Sequence, residues 1–331
     1  MRWRTLLLTP LFLGAGSARA LCDWESGYPA ILTVPDQVIT IAADAPADSS
    51  TPIASIETPR LGHNIFYTYC PVGTEVGRRV IGLEPYNAQN KTYKTNIPGI
   101  VIKPLWTNGL PEWGGFPSTV YMPKVDESGY VYFRFPDVSG YKVEFYKVAD
   151  TLQLNNPAGD LIMPPGPIGY FYLIVSNDPN NYLSKLALSE IKIISTPVCT
   201  ADSAKTVNFG KVTAKMLESG VSEKLDFAIN CKTDYGNYSA TAYITTDTPS
   251  YDAASIMVKD AGGSSGRLRI TIKDSQNRAL KVNGKDGEQI TSTLSQNSAE
   301  FHWTAELSAA GLVQPSAGAF SAKAEIIFDI T

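Results

Sequence analysis

"AFSAKAEIIFDIT", residues 319–331, decides how the rest of the chain is read. Phe320, Ala322, Ala324, Ile326, Phe328 and Ile330 take every second position, polar residues stand between most of them, and only Ile327 breaks the order. A period of two belongs to a half-buried β-strand, whose side chains alternate between core and solvent. The sequence printed stops on this strand, with no turn to bring another segment against its far edge. Two readings follow: an ordinary terminal strand, or one rim of a groove that another polypeptide fills.

The opposite end bounds the choice. "MRWRTLLLTPLFLGAGSARA", residues 1–20, has arginines at 2 and 4, an apolar run from Leu6 to Leu13 and the small-x-small site Ala18-Arg19-Ala20. It predicts a secretory signal peptide; the run is too short for a membrane span and no stop-transfer pattern follows. Lipid modification of Cys22 would call for a small residue before it, where Leu21 stands. Cleavage removes three arginines and no acid, so 28 basic against 32 acidic side chains become 25 against 32, a net charge near -7. No basic stripe remains to attract a nucleic acid. The 311 residues left exceed the comfortable size of one core and predict two domains.

Composition places the boundary. Leu21 to Thr196 holds 18 prolines and 13 tyrosines, whereas Val198 to the end holds two and four. Pro197, in "IISTPVC", supplies a stiff joint. The predicted domains are 21–196 and 197–331. Four cysteines in an exported chain can form disulfides, in three possible pairings. Cys22 and Cys70, then Cys199 and Cys231, lie near one another along the chain, so local pairing is the economical choice. No CxxC couples suggest a metal site.

Both parts read as all-β. Ile31 to Ile41, Asn64 to Cys70, Tyr130 to Phe135, Tyr141 to Val148, Gly169 to Val175 and Ser189 to Ser195 are short β-branched or aromatic runs bounded by turn residues. A short helix or helical turn is expected within Asp178 to Leu188, with Pro179 near its start. The span Gly82 to Pro117 has no firm period, and its aromatics, amides and glycines suit a loop surface. In the second part "KTVNFGKV", "KLDFAINC", "SATAYITT", "GRLRITIKD", "RALKVNG" and "AEFHWTAEL" are strand-like and imply a two-sheet sandwich.

"CTADSAKTVNFGKV" from Cys199, Gly220, "LDFAINC" ending at Cys231, the "GRLRITIKDSQNRAL" hairpin and the closing "GAFSAKAEIIFDIT" together resemble the pilin domain of chaperone-usher pili. The whole chain is similar to the two-domain tip adhesins of that family. The resemblance implies two β-sandwich domains, the second an incomplete immunoglobulin-like fold lacking its last strand. It further implies a periplasmic chaperone, an outer-membrane usher and an adjacent pilus subunit that donates its N-terminal strand. Phe320, Ala322, Ala324, Ile326, Phe328 and Ile330 would then line the groove, and the Thr331 carboxylate would anchor the chaperone. No free alternating extension precedes Cys199, so the subunit is expected to accept a strand without donating one, which places it at the fimbrial tip after export through the periplasm.

For the first domain the expected function is binding of a host glycan or glycoprotein. Alternatives are a protein-binding tip and a non-adhesive cap. "PLWTNGLPEWGGFP" offers Trp106 and Trp113 for stacking on sugar faces, with Asn108 and Glu112 for hydroxyls. Tyr86, Asn87, Gln89 and Asn90 form a second candidate. Catalysis and cofactors are not expected. "GGSSG" around Ser264 leads into a strand where a nucleophile elbow needs a helix. His63 and His302 fall in different domains. The carboxylates Glu112, Asp126, Glu127 and Asp137 have no spacing that fixes a glycosidase pair.

Overall fold

The computed structural model describes residues 22–122 and 130–331; the expected signal peptide, residues 1–20, and the carboxylates Asp126 and Glu127 lie outside the described residues. The chain forms an all-β structure in two regions. The first holds one continuous apolar core, which includes Ile39, Ile65, Ile102, Phe135, Val143, Phe171 and Ile193. The second gathers around Phe227, Tyr238, Phe301 and Trp303, with a smaller cluster at Leu217, Val258, Leu268 and Leu307.

In the first region the strand order of the largest sheet is Ala54–Glu57, Gly140–Lys147, Ile100–Thr107, Thr92–Lys94, Pro85–Asn87. It faces a five-stranded sheet whose centre is Glu75–Val80, Gly166–Leu173 and Ser184–Leu188. Ser184–Leu188 pairs in parallel with Ala30–Val34, and Ile191–Thr196 in parallel with Gln37–Ala42. The expected run Ile31 to Ile41 is thus two strands, broken at Pro35 and Asp36, where the missing N–H of proline ends the ladder.

Three expectations need correction here. Residues 178–183 are a turn: the Asp178 carboxylate accepts from Asn180 N at 2.8 Å, and its carbonyl from Asn181 N at 3.1 Å. These local bonds compete with helix formation, and the apolar residues that follow, Leu183, Leu186 and Leu188, are buried in a strand context. The span 82–117 carries part of the core between exposed stretches at 84–90 and 109–112. Tyr93, Ile97, Ile100, Ile102, Leu105 and Phe116 are all buried, because a strand covered on both faces shows no alternation for a period to reveal. "KTVNFGKV" is irregular backbone rather than strand. Its residues have strand chemistry, but no neighbouring strand offers them a ladder.

The second region stacks a sheet of order Val198–Ala201, Val221–Lys232, Ser298–Ala309, Leu268–Lys273, Ile256–Val258 on a three-stranded sheet of order Asn283–Leu294, Asn237–Thr245, Glu325–Ile330. A single-turn helix, Ala214–Ser219, is capped by Thr213, whose hydroxyl accepts from Met216 N, and ends at Gly220 with φ of 82°. Disulfides join Cys22 to Cys70 and Cys199 to Cys231. The first ties the Asp23–Ser26 strand to Ile65–Pro71; the second joins two directly paired residues of neighbouring strands. The immunoglobulin-like sandwich of this region is incomplete: one of its sheets is left open beside the terminal strand.

Candidate functional site

The strand Glu325–Ile330 has one ladder partner. It pairs with Asn237–Thr245 from Ile330 opposite Ala240 to Glu325 opposite Thr245, and among the described residues no strand pairs its other edge. Facing that free edge across a gap runs the irregular stretch 202–212. Between them lies a groove of about 1250 Å³. Leu225, Phe227, Ile256, Ile270 and Ile272 form its floor, 201–210 one wall and 318–328 the other.

The side chains of the strand explain the shape. Ile326, Phe328 and Ile330 are half-buried against the core cluster, and the Phe328 ring lies 5.9 Å from that of Phe227 and 6.0 Å from that of Phe301. From the far wall Val207 and Phe209 reach the same cluster. Five of the six residues assigned to the groove from sequence, Phe320, Ala322, Ala324, Ile326 and Phe328, line it; Ile330 packs beyond its end. The strand is shorter than the alternation. Ser321 makes one bridge to Lys259, and the Thr246 hydroxyl donates to the Lys323 carbonyl at 2.7 Å, so 319–324 has little regular ladder. Thr331 is exposed and exchanges two backbone hydrogen bonds with Ser239, at 2.7 and 3.0 Å.

An apolar floor between two backbone edges is a receptor for an extended chain. Such a chain would meet unpaired N–H and C=O groups along Glu325–Ile330 and could set every second side chain on the floor. Left empty, the same edge invites uncontrolled pairing.

In the first region the sequence candidates divide into two places. Tyr86, Asn87 and Asn90 line a small pocket of about 280 Å³ with Asp48, Ser49 and Thr92. Gln89 is exposed beside it, and the Asn87 side-chain oxygen accepts from the backbone of Gln89 and Asn90 at 3.0 and 3.1 Å. Hydrogen bonds from Ser50, then Thr51, hold the Asp48 carboxyl well below the usual carboxylate range. This is a polar pocket beside an exposed tyrosine, the mixture that suits sugar hydroxyls and C–H faces.

Trp106 sits elsewhere. It belongs to the strand Ile100–Thr107 and packs against Phe171 and Phe135 at centroid distances of 4.8 and 6.0 Å, with the Arg78 guanidinium 4.9 Å over its ring. Trp113 is half-buried under Lys142 Nζ and the Arg60 guanidinium, 4.8 and 5.3 Å from its ring. The Asn108 side chain accepts from Leu110 N at 3.3 Å, and Glu112 is exposed. Asp137 caps its own turn by accepting from Val138 N.

Arg78 was not singled out from sequence, although a signal was present. Glu75–Val80 reads EVGRRV, so two adjacent arginines must point to opposite faces of one strand. Arg79 faces out, bonded to Glu75 and to Thr119. Arg78 shares the inward face with buried Val76 and pairs with Phe171 across the sheet. Burial pushes its guanidinium down, against a smaller opposing effect of Tyr141.

No catalytic constellation is assembled among the described residues. His63 stacks on Tyr28 and bonds its carbonyl, His302 is an exposed partner of Asp226, and Ser264 lies in a loop whose backbone is held by Asp260. No group of three or more His, Cys, Asp or Glu among the described residues could hold a metal ion.

Residues 190–331 match the family described as "Fimbrial protein". No curated protein matches the chain. Among solved structures, the receptor-binding domain of the plasmid-borne adhesin MrkD1P of Klebsiella pneumoniae is similar at 18% identity, covering 53% of this chain and 96% of that one with a TM-score of 0.37. The P pilus rod subunit PapA is similar at 19% identity, over 40% of this chain and 99% of that one, with a TM-score of 0.33. The CsuC–CsuE chaperone–tip subunit complex of Acinetobacter baumannii is similar at 11% identity over 93% of this chain and 100% of that one, with a TM-score of 0.40.

Proposed function

We propose that this protein is a fimbrial tip adhesin: its C-terminal groove accepts a strand from another polypeptide, and its N-terminal part binds a host glycan. The observation that carries the reading is the apolar groove beside the unpaired edge of Glu325–Ile330, within the segment that matches a fimbrial domain. In this reading a periplasmic chaperone fills the groove during export, an outer-membrane usher receives the complex, and an adjacent subunit's extended N-terminus fills the groove in the fibre. The segment before Cys199 is held in a parallel ladder with Gln37–Ala42, which supports a subunit that accepts a strand and donates none. Such a subunit stands at the distal end, where host contact is made.

The glycan part rests on the pocket at Asp48, Tyr86, Asn87 and Asn90. The test has two arms, both on the full chain. A labelled extended peptide with apolar residues at alternate positions should bind saturably, and its helical or scrambled-period counterpart should not. On a broad glycan array, binding should be saturable and should fall in Tyr86→Ala and Asn87→Ala variants that keep their near-UV circular dichroism. Absence of peptide binding would refute the strand-acceptance half. Capture of a host protein with no glycan binding would instead make the tip a protein receptor.

A further inference from the structure

A groove that takes a strand from another subunit must leave room for the rest of that subunit, and its two ends are not equally free. At one end Cys199 stands opposite Cys231, and Ile330 opposite Ala240. Close by along the chain are Asp234 and Tyr235, which are bonded to Leu152 and Ser195. The first region therefore blocks that end. At the other end Leu268 stands opposite Ala309 and Val221 opposite Leu307, and one wall of the groove begins at Gly318. A strand still attached to its own subunit can leave only there.

That open end carries an apolar tip. The loop 310–317 joins the strand Ser298–Ala309 to the groove wall, and it is pinned on both sides. Ala310 N donates to the Arg267 carbonyl at 2.9 Å, and Ser316 N donates to the Asp260 carboxylate at 2.9 Å. Between the pins Leu312 is 103% exposed and Val313 62%. Two adjacent branched apolar side chains held out in water contribute nothing to this chain's own core, and covering either would be favourable. The helix Ala214–Ser219 lies at the same end, with Leu217 packed on Leu268 and Leu307 and Met216 exposed.

We propose that Leu312 and Val313 dock the folded body of the subunit whose N-terminal strand fills the groove. The inference rests on the strand-acceptance reading and adds a second contact to it. Continuity decides the occupant: the loop 310–317 runs unbroken into the groove wall at Gly318, so a body emerging from the open end meets this loop first. A body tethered by its own inserted strand is held at high effective concentration, and an apolar contact too small to hold a free partner then adds to the strand's affinity.

The experiment uses the full chain in assembled fibres. A photo-crosslinking amino acid replaces Leu312, Ala322 in the groove, or Leu294, which is exposed at the blocked end, and mass spectrometry identifies the peptides captured. The Ala322 position should capture the N-terminal segment of one fimbrial subunit. The Leu312 position should capture the same subunit through residues of its folded body, and the Leu294 position should not capture it. In a second arm Leu312→Ser combined with Val313→Ser should leave binding of a free extended peptide of alternating apolar residues within about twofold. The same double variant should be lost from isolated fibres in mild denaturant roughly tenfold faster than the wild type. Capture at Ala322 with none at Leu312, together with equal loss rates, would overturn the docking surface and leave strand acceptance standing. Capture at Leu312 of a chaperone in the periplasm, with no subunit captured there in the fibre, would overturn it as well. Capture at neither Ala322 nor Leu312 would remove strand acceptance and the docking surface together.

Discussion

Single side chains fix the walls of the groove. Asp260 has no exposed side-chain surface, and its carboxylate accepts from the backbone of Gly262, Ser264 and Ser316 at 3.0, 2.9 and 2.9 Å, with Arg267 at 3.5 Å. It therefore fastens the segment leading into the groove wall to the loop before Leu268–Lys273. The Ser316 N–H is the first cause that holds this carboxyl below its ordinary value, ahead of the burial that opposes it. The sign follows: stability from this group is complete above the unfolded value, about 3.9, and is lost as pH falls through the lower folded value. Urea midpoints of wild type and Asp260→Asn should differ at pH 7 and converge in strong acid; a constant difference down to the acid limit would contradict the assignment. Trp303 gives a second case. Its indole N–H donates to buried Glu288 at 2.5 Å, so Trp303→Phe should cost about 1–3 kcal/mol by leaving that carboxylate short of a donor.

Among elements, the terminal strand and the stretch opposite it show what the sequence could and could not tell. The alternation of Ile326, Phe328 and Ile330 was legible because one face is core and the other solvent. "KTVNFGKV" carries the same chemistry, yet strand formation needs a partner edge, which no local pattern encodes. The strand Ile100–Thr107 was missed for the opposite reason, being covered on both sides. Arg78 was hidden because which of two adjacent arginines turns inward is decided by packing. Phe328 bears most directly on the strand: Phe328→Ala removes a half-buried ring from the groove wall and should lower stability by about 2 kcal/mol while weakening peptide capture. Asp329→Ala, on an exposed side chain, should leave capture within about twofold, the range of ordinary surface substitutions. Equal losses in the two variants would mean that the groove does not read alternate side chains.

Across the whole molecule, a buried carboxylate couples the two regions. Asp234 accepts from Leu152 N at 2.8 Å and from the Ser195 hydroxyl at 2.6 Å, its carbonyl takes Leu154 N at 2.9 Å, and Tyr235 packs on the first core while its hydroxyl accepts from Ser195 N. Pro197 stiffens only the link between them; these bonds hold the first region against the second. Asp234→Ala orphans two donors and should make the Thr196–Pro197 joint a site of limited proteolysis, with the two halves unfolding separately in calorimetry. A single unchanged transition would show that other contacts hold the joint.

The central claim is that the second sandwich is incomplete and takes a strand from outside. Hydrogen exchange of the full chain, with and without an extended peptide of alternating apolar residues, tests it most directly. The account predicts weak protection of the Glu325–Ile330 amides that are not paired with Asn237–Thr245 and of 201–210 in the free protein, and strong, saturable protection of both when the peptide is bound. Strong protection of both segments in the free protein, unaltered by the peptide, would contradict it.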